Sequence, residues 1–122
     1  MKTILVVDDS TLIQWSLKTT LEGAQYRVES CPDGSAAMEK IDRGLRPDLI
    51  LTDLNMPNMN GLALIKAVRQ KLRFTPIIVV STESQMGAKD EAKRAGATGW
   101  LVKPVQPNDM LRVISKVLPE AA

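Results

Sequence analysis

Five short apolar runs begin near residues 3, 26, 48, 77 and 98, and each is followed by a stretch with helical spacing. No other feature constrains the fold as strongly. Parallel strands need a crossover long enough to hold a helix, so this alternation predicts a parallel sheet covered on both faces. Right-handed crossovers then make a doubly wound α/β fold, a five-stranded parallel sheet with five helices, the economical topology.

The runs differ in how clearly they read. Ile4-Leu5-Val6-Val7 and Ile77-Ile78-Val79-Val80 are β-branched and continuous, as buried strands are, and Leu49-Ile50-Leu51 is a third such run. Tyr26 to Cys31 alternates and closes on the turn Pro32-Asp33-Gly34, while Trp100-Leu101-Val102 supplies a fifth strand. Between them, Ile13, Leu17 and Leu21 recur at i, i+4 and i+8 and predict a buried stripe on a helix capped by Asp9 or Ser10 and stopped by Gly23. Ala36, Ala37 and Ile41 predict a short helix ending near Gly44; Leu62, Ile65 and Val68 predict a third after Gly61. An alanine-rich helix is expected from about Ser84 to Ala95, stopped by Gly96, and Met110, Ile114, Val117 and Leu118 mark a last one.

In an open parallel sheet, ligands bind at the carboxyl edge of the strands, where the outgoing loops leave a crevice. That edge collects Asp8 and Asp9 after the first strand, Asp53 after the third, Ser81 after the fourth and Lys103 after the fifth. Polar residues in such loops are ordinary taken singly; three carboxylates, a hydroxyl and an amine in one crevice are not. Two carboxylates about 4 Å apart repel by roughly 4 kcal/mol at an effective dielectric near 20, so the cluster calls for a cation. Oxygen-only ligands favour Mg²⁺, or Mn²⁺, over zinc or copper. A glycine-rich phosphate cradle is missing after the first strand, where two acids stand instead. A divalent ion, a carboxylate, a hydroxyl and a lysine together suit phosphoryl transfer onto Asp53, with the metal and Lys103 neutralising phosphoryl oxygens and Ser81 donating to one of them.

Composition narrows the alternatives. The chain has 122 residues, enough for one domain with a core of its own, and a net charge of +2 with no basic run, which gives no drive toward nucleic acid or anionic lipid. With no histidine and one cysteine, a zinc site or a histidine-dependent triad is excluded. Cys31 has no partner for an internal disulfide, no apolar run approaches the roughly 20 residues that span a bilayer, and no signal-peptide pattern opens the chain. A soluble, cytoplasmic protein is expected.

Val6-Val7-Asp8-Asp9, Asp53-Leu54-Asn55-Met56-Pro57 with Gly61, Val80-Ser81 and Lys103-Pro104 together resemble the receiver domain of two-component response regulators, and the resemblance covers essentially the whole chain. It implies a flavodoxin-like receiver fold in which Asp53 accepts a phosphoryl group from a histidine kinase or phosphotransfer protein. Mg²⁺ is then held by Asp9, Asp53 and the main-chain carbonyl of Asn55, with Asp8 acting mostly through water. The resemblance further implies a cis Lys103-Pro104 bond, lifetime tuning by Asn55 and Glu83 with a fairly short-lived phosphoryl state, and a switch in which Ser81 moves toward the phosphoryl group while Trp100 turns inward. Trp100 departs from the tyrosine or phenylalanine usual there, and a filler on an edge strand is its other reading.

With residues 1–122 read as a single receiver domain and no output domain, the signal is expected to leave through a partner protein on the face formed by the fourth helix, fifth strand and fifth helix, which includes Lys89, Lys93 and Trp100. Chemotaxis is the familiar setting; a phosphorelay intermediate, a phosphate sink and a piece of a longer regulator would look alike. A monomer is expected unless phosphorylated. On the first helix, Trp15 falls opposite the stripe with Leu12 beside it, a candidate docking patch for the phosphodonor. An aspartyl-phosphate phosphatase of the haloacid-dehalogenase kind would need an Asp-x-Asp pattern after the first strand and a cap, whereas Asp8 and Asp9 are adjacent. A binding module without phosphorylation is disfavoured by the intact Asp9, Asp53, Ser81 and Lys103.

Overall fold

The computed structural model describes residues 1–118. The last four residues of the expected domain, 119–122, lie outside them. Strands β1 (Thr3–Val7), β2 (Arg27–Cys31), β3 (Leu49–Thr52), β4 (Ile77–Ser81) and β5 (Gly99–Val102) alternate with helices α1 (Thr11–Gly23), α2 (Gly34–Asp42), α3 (Gly61–Lys71), α4 (Met86–Ala95) and α5 (Pro107–Val117). All strands are parallel, in the order β2-β1-β3-β4-β5. The expected doubly wound sheet with five helices is therefore the observed one.

Side chains on successive strand residues point to opposite faces, and the two cores follow from that. Leu5, Val7, Ile50, Ile77 and Val79 bury one face under α2, α3 and α4, through Ala37, Ile41, Leu64, Ile65, Val68 and Ala92. Ile4, Val6, Leu49, Leu51, Ile78 and Val80 bury the other under α1 and α5, through Leu21, Met110, Ile114 and Leu118. Both faces are apolar, so β1, β3 and β4 lack the alternation of a half-exposed strand. Each fully buried Ile or Leu contributes roughly 1.5–3 kcal/mol, and these layers carry the strands that end at the crevice.

Several sequence expectations shift on inspection. Ile13 and Leu17 are only half-buried, because both line a groove of about 400 Å³ together with Val80, Val105 and Met110. On α3, Leu64 is buried where Leu62 was expected to be, since the helix turns its Leu64-Ile65-Val68 side to the sheet. Gly23 lies within α1; the left-handed residue that ends it is Gln25, at φ 70°. Gly44 and Gly96, at φ 113° and 120°, do stop α2 and α4 as expected. α4 starts at Met86 rather than Ser84.

Capping fixes three helices directly. Ser10, not Asp9, caps α1 by accepting from the Ile13 amide, Asp33 caps α2 through Ala36, and Asn60 caps α3 through Ala63. Among the described residues, no helix is long and apolar enough to cross a membrane.

Candidate functional site: the acidic crevice at the carboxyl edge

Sheet hydrogen bonds continue one step past the strand ends and set the backbone of the crevice. The Asp8 amide donates to the Cys31 carbonyl (3.1 Å), the Asp53 amide to Val7 (2.9 Å) and the Lys103 amide to Ser81 (2.9 Å). Residues far apart in sequence thus reach one edge because the ladder leaves them no other place.

There Asp8, Asp9 and Asp53 each offer a carboxylate oxygen, all within 4.8 Å of one another. Asp8 is buried, Asp53 half-buried and Asp9 exposed, so the cluster opens to solvent on the Asp9 side. Lys103 Nζ donates to Asp8 Oδ2 at 2.7 Å and to Asp53 Oδ2 at 3.0 Å. Burial alone would lower the Lys103 pKa, but its bonds to Asp8 and Asp53 outweigh that and hold it above the usual lysine value. The other oxygens are partly committed: Asp8 Oδ1 accepts from the Ser10 amide (2.9 Å) and Asp53 Oδ1 from the Leu54 amide (2.7 Å). Three carboxylates and one ammonium leave two negative charges uncompensated, in a donor set made of oxygen. A divalent ion such as Mg²⁺ fits both the charge and the chemistry.

Close backbone approach shapes the turn after Asp53. A Cβ on Gly61 would press on the Asp53 carbonyl and lie 2.9 Å from Leu54 Cα, and the Gly61 amide donates to the Leu54 carbonyl at 2.8 Å. Only glycine lets α3 begin this close to Asp53.

Ser81 is fully buried at the end of β4, its Oγ accepting from the Glu83 amide at 3.1 Å. Glu83, expected near the phosphoryl position, turns its carboxylate to the amides of Ser84 (3.1 Å) and Gln85 (3.0 Å), which lead into α4, a helix without a side-chain cap of its own. Asn55 is exposed. Trp100 is half-buried against the α2-α3-α4 core, and its indole N–H donates to the Glu83 carbonyl at 2.9 Å. The Lys103-Pro104 bond is cis, as expected. On α1, Leu12 and Trp15 are 70% and 65% exposed, on the side expected for them. Cys31 is buried, and burial pushes its thiol up to about 12, which leaves it protonated and inert.

Sequence reasoning passed over Asp33 and Asn58. Asn58 Nδ2 donates to Asp33 Oδ2 at 2.7 Å, joining the β2-α2 turn to the β3-α3 loop. The only sequence signal was the turn Pro32-Asp33-Gly34, and the pairing across 25 residues exists only in three dimensions.

Residues 4–115 match the family described as the response regulator receiver domain. The chain is 38% identical to chemotaxis protein CheY1 of Helicobacter pylori over 94% of its own length and 95% of that protein's. Chemotaxis response regulator CheY4 of Vibrio cholerae has a similar structure, with a TM-score of 0.91 and 43% identity, covering 97% of this chain and 99% of that one. Response regulator protein TrrA of Thermotoga maritima, solved in complex with Mg²⁺-BeF, superposes with a TM-score of 0.87 at 30% identity, covering 97% and 100% of the two chains. Sequence, sheet order and crevice agree: this chain belongs to the response regulator receiver domain family.

Proposed function

We propose that the chain is a phosphoryl-accepting signalling switch with Asp53 as its acceptor. The observation that carries this reading is Lys103, held between Asp8 and Asp53 in an acid cluster that lacks two positive charges. Asp9, Asp53 and the Asn55 carbonyl would hold Mg²⁺, with Asp8 acting through water, and the bound ion would supply charge neutralisation on the phosphoryl oxygens. TrrA, a relative of the same fold, was solved in complex with Mg²⁺-BeF, which supports a Mg²⁺ site in this fold.

The remaining chemistry belongs to the chain's own groups. An Asp53 carboxylate oxygen forms a bond to phosphorus as the bond from phosphorus to the donor's histidine nitrogen, or to a small donor's leaving oxygen, breaks. Lys103 is freed from Asp53 to face a phosphoryl oxygen, and Ser81 donates its hydroxyl to another. Water later attacks phosphorus, releasing inorganic phosphate and restoring the carboxylate. Phosphorylation from a small donor consumes one donor molecule and releases its leaving group, and dephosphorylation consumes one water, both at the domain's own Asp53 and with the domain's own groups. Asn55 and Glu83 tune the lifetime, Glu83 only after leaving the Ser84 and Gln85 amides.

The phosphoryl group carries about −1.5 to −2 where the bare carboxylate carried −1, and the Ser81 hydroxyl, at the end of β4, accepts from the amide of Glu83, whose carbonyl holds Trp100. Movement of Ser81 therefore reaches β5 through that bond and alters the surface of α4, β5 and α5, where Lys89 and Lys93 flank Trp100. A downstream protein reads this face; a histidine kinase or phosphotransfer protein docks on Leu12 and Trp15. The setting we favour is chemotaxis in the cytoplasm, on the strength of the CheY1 and CheY4 relatives.

Tryptophan fluorescence tests the switch. Mg²⁺ and then beryllofluoride should each change the emission of the wild type and of Trp15→Phe saturably, and the beryllofluoride step should vanish in Asp53→Ala. A beryllofluoride step that persists in Asp53→Ala contradicts the assignment.

A further inference from the structure

The segment from Leu54 to Asn60 links the acceptor to α3 and carries Asn55, whose carbonyl is a ligand in the reading above. Loops of this kind are ordinarily mobile. This one is fastened at both ends. At its start, Asp53 Oδ1 accepts from the Leu54 amide and the Leu54 carbonyl accepts from Gly61. At its far side it lies against the β2-α2 turn, where the Gly34 amide donates to the Met59 carbonyl at 3.0 Å and Asn58 Nδ2 to Asp33 Oδ2 at 2.7 Å.

Each partner is suited to that contact. Asp33 is a buried carboxylate with both oxygens used, Oδ1 on the Ala36 amide that starts α2 and Oδ2 on Asn58. Those bonds, the Ala36 amide first and Asn58 next, hold its carboxyl below the usual aspartate value. Asn58 sits at φ 65°, a left-handed conformation that asparagine tolerates better than most residues. A Cβ at Gly34 would lie 2.7 Å from the Met59 carbonyl oxygen and 2.8 Å from its Cγ, so turn and loop touch without room to spare.

We propose that Asp33 and Asn58 are positioning residues for the divalent-ion site, pinning the β3-α3 loop so that the Asn55 carbonyl is presented to Asp9 and Asp53 before any ion arrives. The inference rests on the metal-site reading above. Neither residue touches the ion; both act through the loop, as outer partners of metal ligands do, and loss of such partners typically lowers affinity about 10- to 100-fold.

Isothermal calorimetry with Mg²⁺ alone tests it on the full chain. Asn58→Asp keeps a residue that accepts positive φ but sets carboxylate against carboxylate, and should weaken Mg²⁺ binding about tenfold. Combining it with Asp33→Asn reverses donor and acceptor, keeps an oxygen for the Ala36 amide, and should restore most of the wild-type affinity. Ile114→Val, a core change on the opposite face of the sheet, should lower stability toward urea while leaving Mg²⁺ affinity unchanged. If the wild type binds Mg²⁺ but Asn58→Asp binds it equally well, or the folded double exchange fails to recover, the positioning role is overturned and the metal site stands. If the wild type shows no saturable Mg²⁺ binding, the metal site itself is refuted and the positioning role with it.

Discussion

Lys103 holds a double position in this crevice. It pairs with both Asp8 and Asp53 and offsets one of their two charges, and it stands where a cation would be needed when a phosphoryl group arrives. Its side chain is 15% exposed and those of Asp8 and Asp53 are 3% and 13% exposed, so the pairs are little screened by solvent. Removing one partner of such a buried pair typically costs about 3–5 kcal/mol, because the other charges remain. Lys103→Met should therefore destabilise the metal-free protein by about 3 kcal/mol in urea denaturation. It should at the same time bind Mg²⁺ more tightly than the wild type, since the crevice becomes more negative, yet fail to accept phosphoryl groups. Weaker Mg²⁺ binding in the variant would contradict this electrostatic account. The sign of the pH dependence follows from the raised lysine pKa: stabilisation is complete below the unfolded value of about 10.4 and is lost as pH rises through the higher folded value. Across neutral pH this ion-paired lysine contributes in full.

At the scale of elements, the strands were the legible part of the sequence, and the helix surfaces were less so. Continuous runs such as Ile77 to Val80 admit a single reading because both faces of the sheet are covered. Helical spacing shows which side of α1 is apolar but not how closely its neighbour approaches. Ile13 and Leu17 were thus expected to be buried, and they line the groove beside α5 instead. The opposite face was read correctly, with Trp15 and Leu12 in solvent. If that face receives the phosphodonor protein, Trp15→Ala should slow phosphoryl transfer from the cognate kinase about tenfold, the loss of one well-buried interface aromatic, while leaving the rate from acetyl phosphate unchanged. Equal rates with both donors, or equal slowing, would remove α1 from the docking surface.

Over the whole molecule, the candidate site was readable because its residues sit at strand ends. Once the sheet is parallel, Asp8, Asp9, Asp53, Ser81 and Lys103 have one edge to share, and the cluster within 4.8 Å and the Lys103 bonds follow. What sequence could not supply was side-chain direction within the loops. Glu83 faces the start of α4 instead of standing free, Trp100 holds the Glu83 carbonyl, and Asp33 finds Asn58 across 25 residues. Each depends on how two loops meet, and no local pattern encodes that meeting. The central claim concerns a single bond, between phosphorus and the Asp53 carboxylate. The most direct measurement is to incubate the protein with acetyl phosphate and Mg²⁺, reduce the acyl phosphate with borohydride and locate the converted residue by peptide mass spectrometry. Conversion confined to Asp53, and absent when Mg²⁺ is chelated, is the predicted result. Conversion at Asp8 or Asp9, or none at all while the folded protein binds Mg²⁺, would contradict it.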